Sequence, residues 1–233
     1  MEIDPSVVLE KARKALRNKD YEVALEKYQW FFHNSIEINR SYYGVRLSYC
    51  LSEWKQLAND YPPAMEALIE LKNNTLATFL ETYSRQSFHE YKSIAGCLNE
   101  PKEVFDQFMI VHNSNKELAK NLFTFVYEYC AENNNWEICL TYLGNGNEQY
   151  EEALEMLDHM IEFSEKKDGE AGKSIFNFGT ERFEKECLWI LCTLNHANAS
   201  EALDSAYAKI QSDLKDRNLD DLLNKITTKM PNN

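Results

Sequence analysis

The stretch Ala12-x-x-Ala15-Leu16-x-Asn18-x-Asp20-Tyr21-Glu22-x-Ala24-Leu25-Glu26-x-Tyr28 decides how the rest of the chain is read. Upstream, Asp4 is a helix cap with Pro5 at the first helical position, and Val8, Leu9, Ala12, Ala15 and Leu16 recur at helical spacing to about Arg17. Asn18-Lys19-Asp20 interrupts the pattern. Tyr21, Ala24, Leu25, Tyr28, Phe31 and Phe32 then mark a second helix, so residues 5–32 read as a helix-turn-helix hairpin.

The arrangement returns after 40 residues, where Asp60-Tyr61-x-x-Ala64 repeats Asp20-Tyr21-x-x-Ala24. A further step of 40 reaches Glu100-Pro101-x-x-Val104, with Phe105, Phe108 and Val111 in the places of Met65, Leu68 and Leu71. Asn135-Trp136-Glu137-Ile138-Cys139-Leu140 is a fainter echo. In each unit a small residue early in the second helix lets two helices approach, and an aromatic at its start fills the wedge beside the turn. One hairpin cannot bury both of its apolar faces, so the pattern predicts an all-α chain of stacked hairpins forming a right-handed α-α superhelix.

The C-terminal third is less regular. Glu148–Glu165 is amphipathic, whereas Lys166-Lys167-Asp168-Gly169-Glu170-Ala171-Gly172-Lys173 is charged and holds two glycines, which predicts an irregular loop over 166–179. Helical patterning resumes over Arg182–Leu194, from Ser200 through Ala202, Leu203, Ala206 and Ile210, and over Leu219–Thr228. Residues 180–229 are thus expected to cap the stack, and Met230–Asn233 to fray. The whole chain, 1–233, reads as one repeat domain, clearest over 5–80.

Composition agrees with helices. The chain has 233 residues, 44% hydrophobic and 27% charged, enough apolar side chain for a substantial core. Seven glycines and five prolines are too few for the turns of a sandwich or barrel, or for a glycine-rich nucleotide-binding fold. A net charge of −13 repels nucleic acid backbones and anionic lipid, and no run has more than two adjacent basic residues, so neither nucleic acid nor membrane is an expected partner. The six cysteines form no Cys-x-x-Cys pair and sit mostly in apolar helical runs, as buried thiols do. Met1–Pro5 lacks the features of a secretory signal and no run reaches bilayer-spanning length, which points to the cytoplasm.

The quoted stretch resembles a tetratricopeptide repeat, and Tyr150-Glu151-Glu152-Ala153-Leu154 is a further local echo. Tyr43-Gly44-Val45-Arg46-Leu47-Ser48 through Tyr61-Pro62-Pro63-Ala64 is similar to uncharacterised bacterial proteins with such repeats. The resemblance implies an α-solenoid whose concave groove, lined by the first helix of each hairpin, holds a peptide or helix of a partner protein; a non-catalytic scaffold is the expectation, with a ligand- or peptide-sensing regulatory module and an enzyme with no recognisable motif as alternatives. It places Leu9, Arg13, Arg46, Tyr49, Cys50, Glu53, Phe125 and Glu128 on that groove. Chaperone-binding members clamp a C-terminal carboxylate with Lys and Asn there; with Leu9, Arg13, Arg46 and Cys50 in those places, only an arginine side of such a clamp exists.

Other motifs point to no chemistry. Gly172-Lys173-Ser174 lacks the first glycine of a phosphate-binding loop, because position 167 is Lys167. His33, His89, His112, His159 and His196 are scattered, and His89-Glu90 lacks the second histidine of a zinc protease, so neither metal nor cofactor is expected. The aromatic residues read mainly as core, with Tyr42, Tyr49 and Phe125 as candidates to line a recognition groove.

Overall fold

Asp4 starts the first helix. Its Oδ1 accepts from the Ser6 amide at 2.8 Å, and Pro5 occupies the first position, where no amide hydrogen is needed. The computed structural model describes residues 4–230, so the residues 231–233 that the sequence reading expects to fray, and Met1–Ile3, lie outside the described residues. In order the helices are α1 Pro5–Arg17, α2 Tyr21–Ile38, α3 Tyr42–Val45, α4 Leu51–Asp60, α5 Pro62–Thr82, α6 Arg85–Cys97, α7 Pro101–Ser114 and α8 Lys116–Leu122. These are followed by α9 Tyr127–Glu132, α10 Trp136–Leu143, α11 Asn147–Glu165, α12 Gly169–His196, α13 Ser200–Asp216 and α14 Asp220–Lys229. A π-helical turn, Arg46–Cys50, joins α3 to α4, and a 3₁₀ turn, Phe123–Phe125, follows α8. No strand occurs among the described residues, and no described helix is long and apolar enough to cross a membrane.

Asparagine does much of the turn-making that glycine does elsewhere. Asn99, Asn134, Asn198 and Asn218, together with Lys19, adopt positive φ of 52 to 62° immediately beyond helices. Each turn closes in the same way. The next residue's amide reaches back five positions, as in Asp20 to the Ala15 carbonyl at 2.9 Å, Glu100 to Ala95 at 2.9 Å and Asn135 to Cys130 at 2.8 Å. Proline marks the other end, opening α1, α5 and α7.

The chain divides into two compact units, Met1–Val126 and Tyr127–Asn233, where the sequence reading takes residues 1–233 as one domain. In the first unit α1 packs on α2, α4 on α5, α5 on α6 and α6 on α7, while α4 also packs on α2 and α6. Ala24, Ala64 and Val104, the small residues spaced 40 apart, are all buried, and the Tyr21 and Tyr61 rings lie 5.9 Å apart. The core around Ala24 and Ala64 holds Tyr28, Phe31, Phe32, Trp54, Leu57 and Leu68. Each such side chain contributes roughly 1.5–3 kcal/mol on burial. The indole N–H of Trp54 is satisfied by the Ala64 carbonyl at 3.0 Å.

The second unit is organised around α12, which packs on α10, α11, α13 and α14. Here the expected loop over 166–179 is corrected: only Lys166–Asp168 separates α11 from α12, and residues 169–179 are helical. Gly172 and Gly179 are contact points, because a Cβ on Gly172 would lie 2.5 Å from the Lys167 carbonyl oxygen and one on Gly179 2.7 Å from Met160 Cβ. Gly172, Gly179, Phe183, Cys187, Ile190 and Leu194 form the buried stripe of α12. In 180–229, the C-terminal half of α12 is core, not cap.

Candidate functional site

Residues of α2, the π turn, α4, α5 and α6 enclose a cleft of about 340 Å³ in the first unit. Its apolar base is formed by Phe32, Trp54, Ala67 and Leu71. Gln29, His33, Glu70, Asn74, Thr75, Thr78 and Glu90 supply polar groups, and Arg46 lies among them. The walls include the second helices of two successive hairpins, α2 and α5.

Arg46 is the first residue of the π turn and only 4% exposed. Burying a guanidinium requires compensation. Its Nη2 donates to Glu90 Oε1 on α6, its Nη1 donates to the Phe32 carbonyl at 3.2 Å, and its plane lies 4.5 Å from the Phe32 ring centroid. Its Nε is buried with no hydrogen-bond partner. Beside it, burial and then the Arg46 charge hold His33 below the ordinary histidine pKa, so the ring lining the cleft is neutral near pH 7. The hydroxyls of Thr75 and Thr78 donate to the Leu71 and Asn74 carbonyls at 2.8 and 3.0 Å, leaving their lone pairs as acceptors. Glu70 adds a carboxylate to the lining, and the Gln29 and Asn74 amides bring donors as well as acceptors.

Of the eight groove residues implied by the resemblance, Arg46 alone lines this cleft. Leu9 and Cys50 are buried in the core and cannot meet a partner, because both sit on helix faces that close against α2; the Cys50 thiol donates to the Tyr28 carbonyl at 3.7 Å. Arg13 is committed to Glu53 in a two-pronged pair, Nε to Oε2 at 3.0 Å and Nη2 to Oε1 at 2.8 Å, with the Tyr28 hydroxyl also donating to Glu53 at 3.4 Å. That pair raises the Arg13 pKa, so both side chains act as a strut between α1 and α4. Tyr49 is 64% exposed. Tyr42 is half-buried edge-on to Phe31, and Phe125 is half-buried, stacked 4.8 Å from the His89 ring with the Arg85 guanidinium 4.6 Å from its centroid. Glu128 is exposed and belongs to the second unit.

The sequence reading misses Glu90, His33, Glu70, Asn74 and Thr78. A lone arginine within an otherwise apolar helical face signals a carboxylate partner, but the step of 44 residues to Glu90 follows no repeat. Among the described residues, no group of three or more His, Cys, Asp or Glu side chains is placed to hold a metal ion. Compared with family models, curated proteins and solved structures, the chain matches none of them.

Proposed function

We propose that the first unit is a non-catalytic binding module that takes a peptide segment of a partner protein, with a basic side chain as its anchor, in the cleft beside Arg46. The observation that carries this reading is the chemistry of the lining. Arg46 spends its charge on Glu90, the threonine hydroxyls spend their protons on helix carbonyls, and Glu70 adds a carboxylate to the lining. An ammonium or guanidinium pairs with the Glu70 carboxylate and donates to the threonine lone pairs, and its stem covers the apolar base. The volume of about 340 Å³ is at the lower end of the roughly 300–1,000 Å³ of ligand pockets, room for an anchoring side chain more than for a large cofactor. The net charge of −13 steers a basic segment toward the chain. The tetratricopeptide-like reading fits the same picture: the hairpins of the first unit stack as turns of a right-handed superhelix, with the binding position moved from the first helices to the cleft flanked by α2 and α5.

The test is to pan a random peptide library on the chain and to counter-screen on Asn74→Trp, an exposed position whose new ring fills the cleft. Enriched peptides should carry Lys or Arg and lose at least about tenfold in affinity, roughly 1.4 kcal/mol, on Asn74→Trp. Peptides that bind Asn74→Trp unchanged, or no enrichment, sink the reading.

A further inference from the structure

Asn145 is the one asparagine of the chain that a glycine follows, and Gly144-Asn145-Gly146 joins α10 to α11. Gly144 and Gly146 take positive φ of 60° and 77°, so the turn depends on glycine on both sides of Asn145. The Asn145 side chain is exposed and folds back along the chain, its Oδ1 accepting from the Asn147 amide at 3.2 Å. No Cβ on Gly146 shields the peptide nitrogen from Asn145 Cγ. A single turn hydrogen bond, to the Leu143 carbonyl at 3.0 Å, holds that amide, and a short loop outside the helical ladders opens locally. The two asparagine–serine pairs, Asn34-Ser35 and Asn113-Ser114, differ in this respect. Both lie inside helices, α2 and α7, where the amide of the following residue belongs to the ladder.

We propose that Asn145 is a site of spontaneous covalent modification, converting to aspartate and isoaspartate in the folded chain, with water as the co-reactant. The Gly146 nitrogen attacks Asn145 Cγ and forms a carbon–nitrogen bond; the side-chain amide nitrogen leaves as ammonia, carrying the Gly146 proton, and a cyclic imide remains. Water then opens the ring. Attack at Cγ returns the original backbone with an aspartate side chain, whereas attack at the main-chain carbonyl carbon leaves the chain running through Cβ and Cγ as isoaspartate. No electrons are transferred. The two products act differently on the fold. Aspartate adds a carboxylate ahead of the first turn of α11, where the helix dipole favours it. Isoaspartate lengthens the backbone by one methylene just before Gly146, which has no room to shift toward α12: a Cβ there would lie 2.6 Å from Cγ2 of the buried Ile190. The isoaspartyl form therefore weakens the packing of α11 on α12.

The experiment incubates the native full chain in mildly alkaline buffer, beside the same chain unfolded in urea, and maps both by peptide mass spectrometry. The expected native map shows the amide-to-acid mass gain at Asn145 ahead of every other asparagine. It appears as two separable peptides, one of which resists an aspartate-specific protease. Asn145→Gln, whose amide sits one methylene further from the Gly146 nitrogen, should stay unconverted. Asn145→Asp should melt no lower than the fresh chain, while the isoaspartyl fraction melts lower. Recovery of Asn145 as the amide from the native chain, whatever happens in urea, overturns the proposal, as does earlier conversion of another asparagine. Equal melting of the isoaspartyl and fresh chains overturns the weakened packing of α11 on α12.

Discussion

At the scale of single residues, the buried Arg46 and the partly buried Glu186 set the chain's sensitivities. Arg46 is compensated by Glu90 and Phe32, so Arg46→Met leaves the Glu90 carboxylate, with its side chain 16% exposed, without its cation. The expected loss is about 2–3 kcal/mol, seen as a lower midpoint in urea with an unchanged slope; a loss under about 1 kcal/mol would show that the pair contributes little. Glu186 behaves in the opposite sense. Burial raises its carboxyl from 4.5 to about 7, opposed by Arg182, whose Nη2 is 3.9 Å away, and reinforced by Glu128 and Glu152. Between those pH values the folded chain holds a proton that the unfolded chain has released. Raising the pH through 4.5 to 7 therefore lowers stability, by on the order of 2–3 kcal/mol, and Glu186→Gln should flatten that part of the profile of urea midpoints. Arg46 was a candidate binding residue in sequence only through the resemblance to a tetratricopeptide repeat, which places it on the groove. Glu90 and Glu186 were not, since neither pairing nor burial follows from the spacing around them.

At the scale of elements, glycine carries opposite meanings in different helices. A Cβ at Gly172 meets the Lys167 and Ser164 carbonyl oxygens at 2.5 and 2.8 Å, so Gly172→Ala forces the start of α12 away from the end of α11. A Cβ at Gly44 in α3 meets nothing within 4 Å. Gly172→Ala is expected to cost more than about 1 kcal/mol despite its better helix propensity, while Gly44→Ala should stabilise by up to about 1 kcal/mol. Thermal melts of the two variants should shift in opposite directions; two upward shifts would mean that the contact at Gly172 relaxes freely. The starts of α1, α5 and α7 were readable, because Asp4, Pro5, Pro62 and Pro101 act within one turn. Residues 166–179 were misread because two glycines and a charge run look alike in a loop and in a helix packed closely on its neighbour.

At the scale of the whole molecule, net charge is the dominant long-range term. With 25 basic against 38 acidic residues, the chain repels itself, and most exposed ion pairs, such as Lys102 with Asp106 at 2.7 Å, offset little of it. Raising sodium chloride from about 20 mM to about 500 mM shortens the screening length from roughly 20 Å to about 4 Å. The melting temperature should rise by about 2–4 °C for each kcal/mol of repulsion removed. A fall would mean that attractive pairs outweigh the net charge. The sequence by itself determined the helical class, the places where α1, α2, α5 and α7 begin, and the spacing of Ala24, Ala64 and Val104, because propensity, caps and periodicity act over a few residues. Tertiary structure alone decided that Arg46 meets Glu90 beside a cleft, that Leu9 and Cys50 close into the core, and that α12 runs unbroken through Gly172. Those outcomes depend on how far helix axes approach and which faces meet, distances set by packing among residues far apart in the chain.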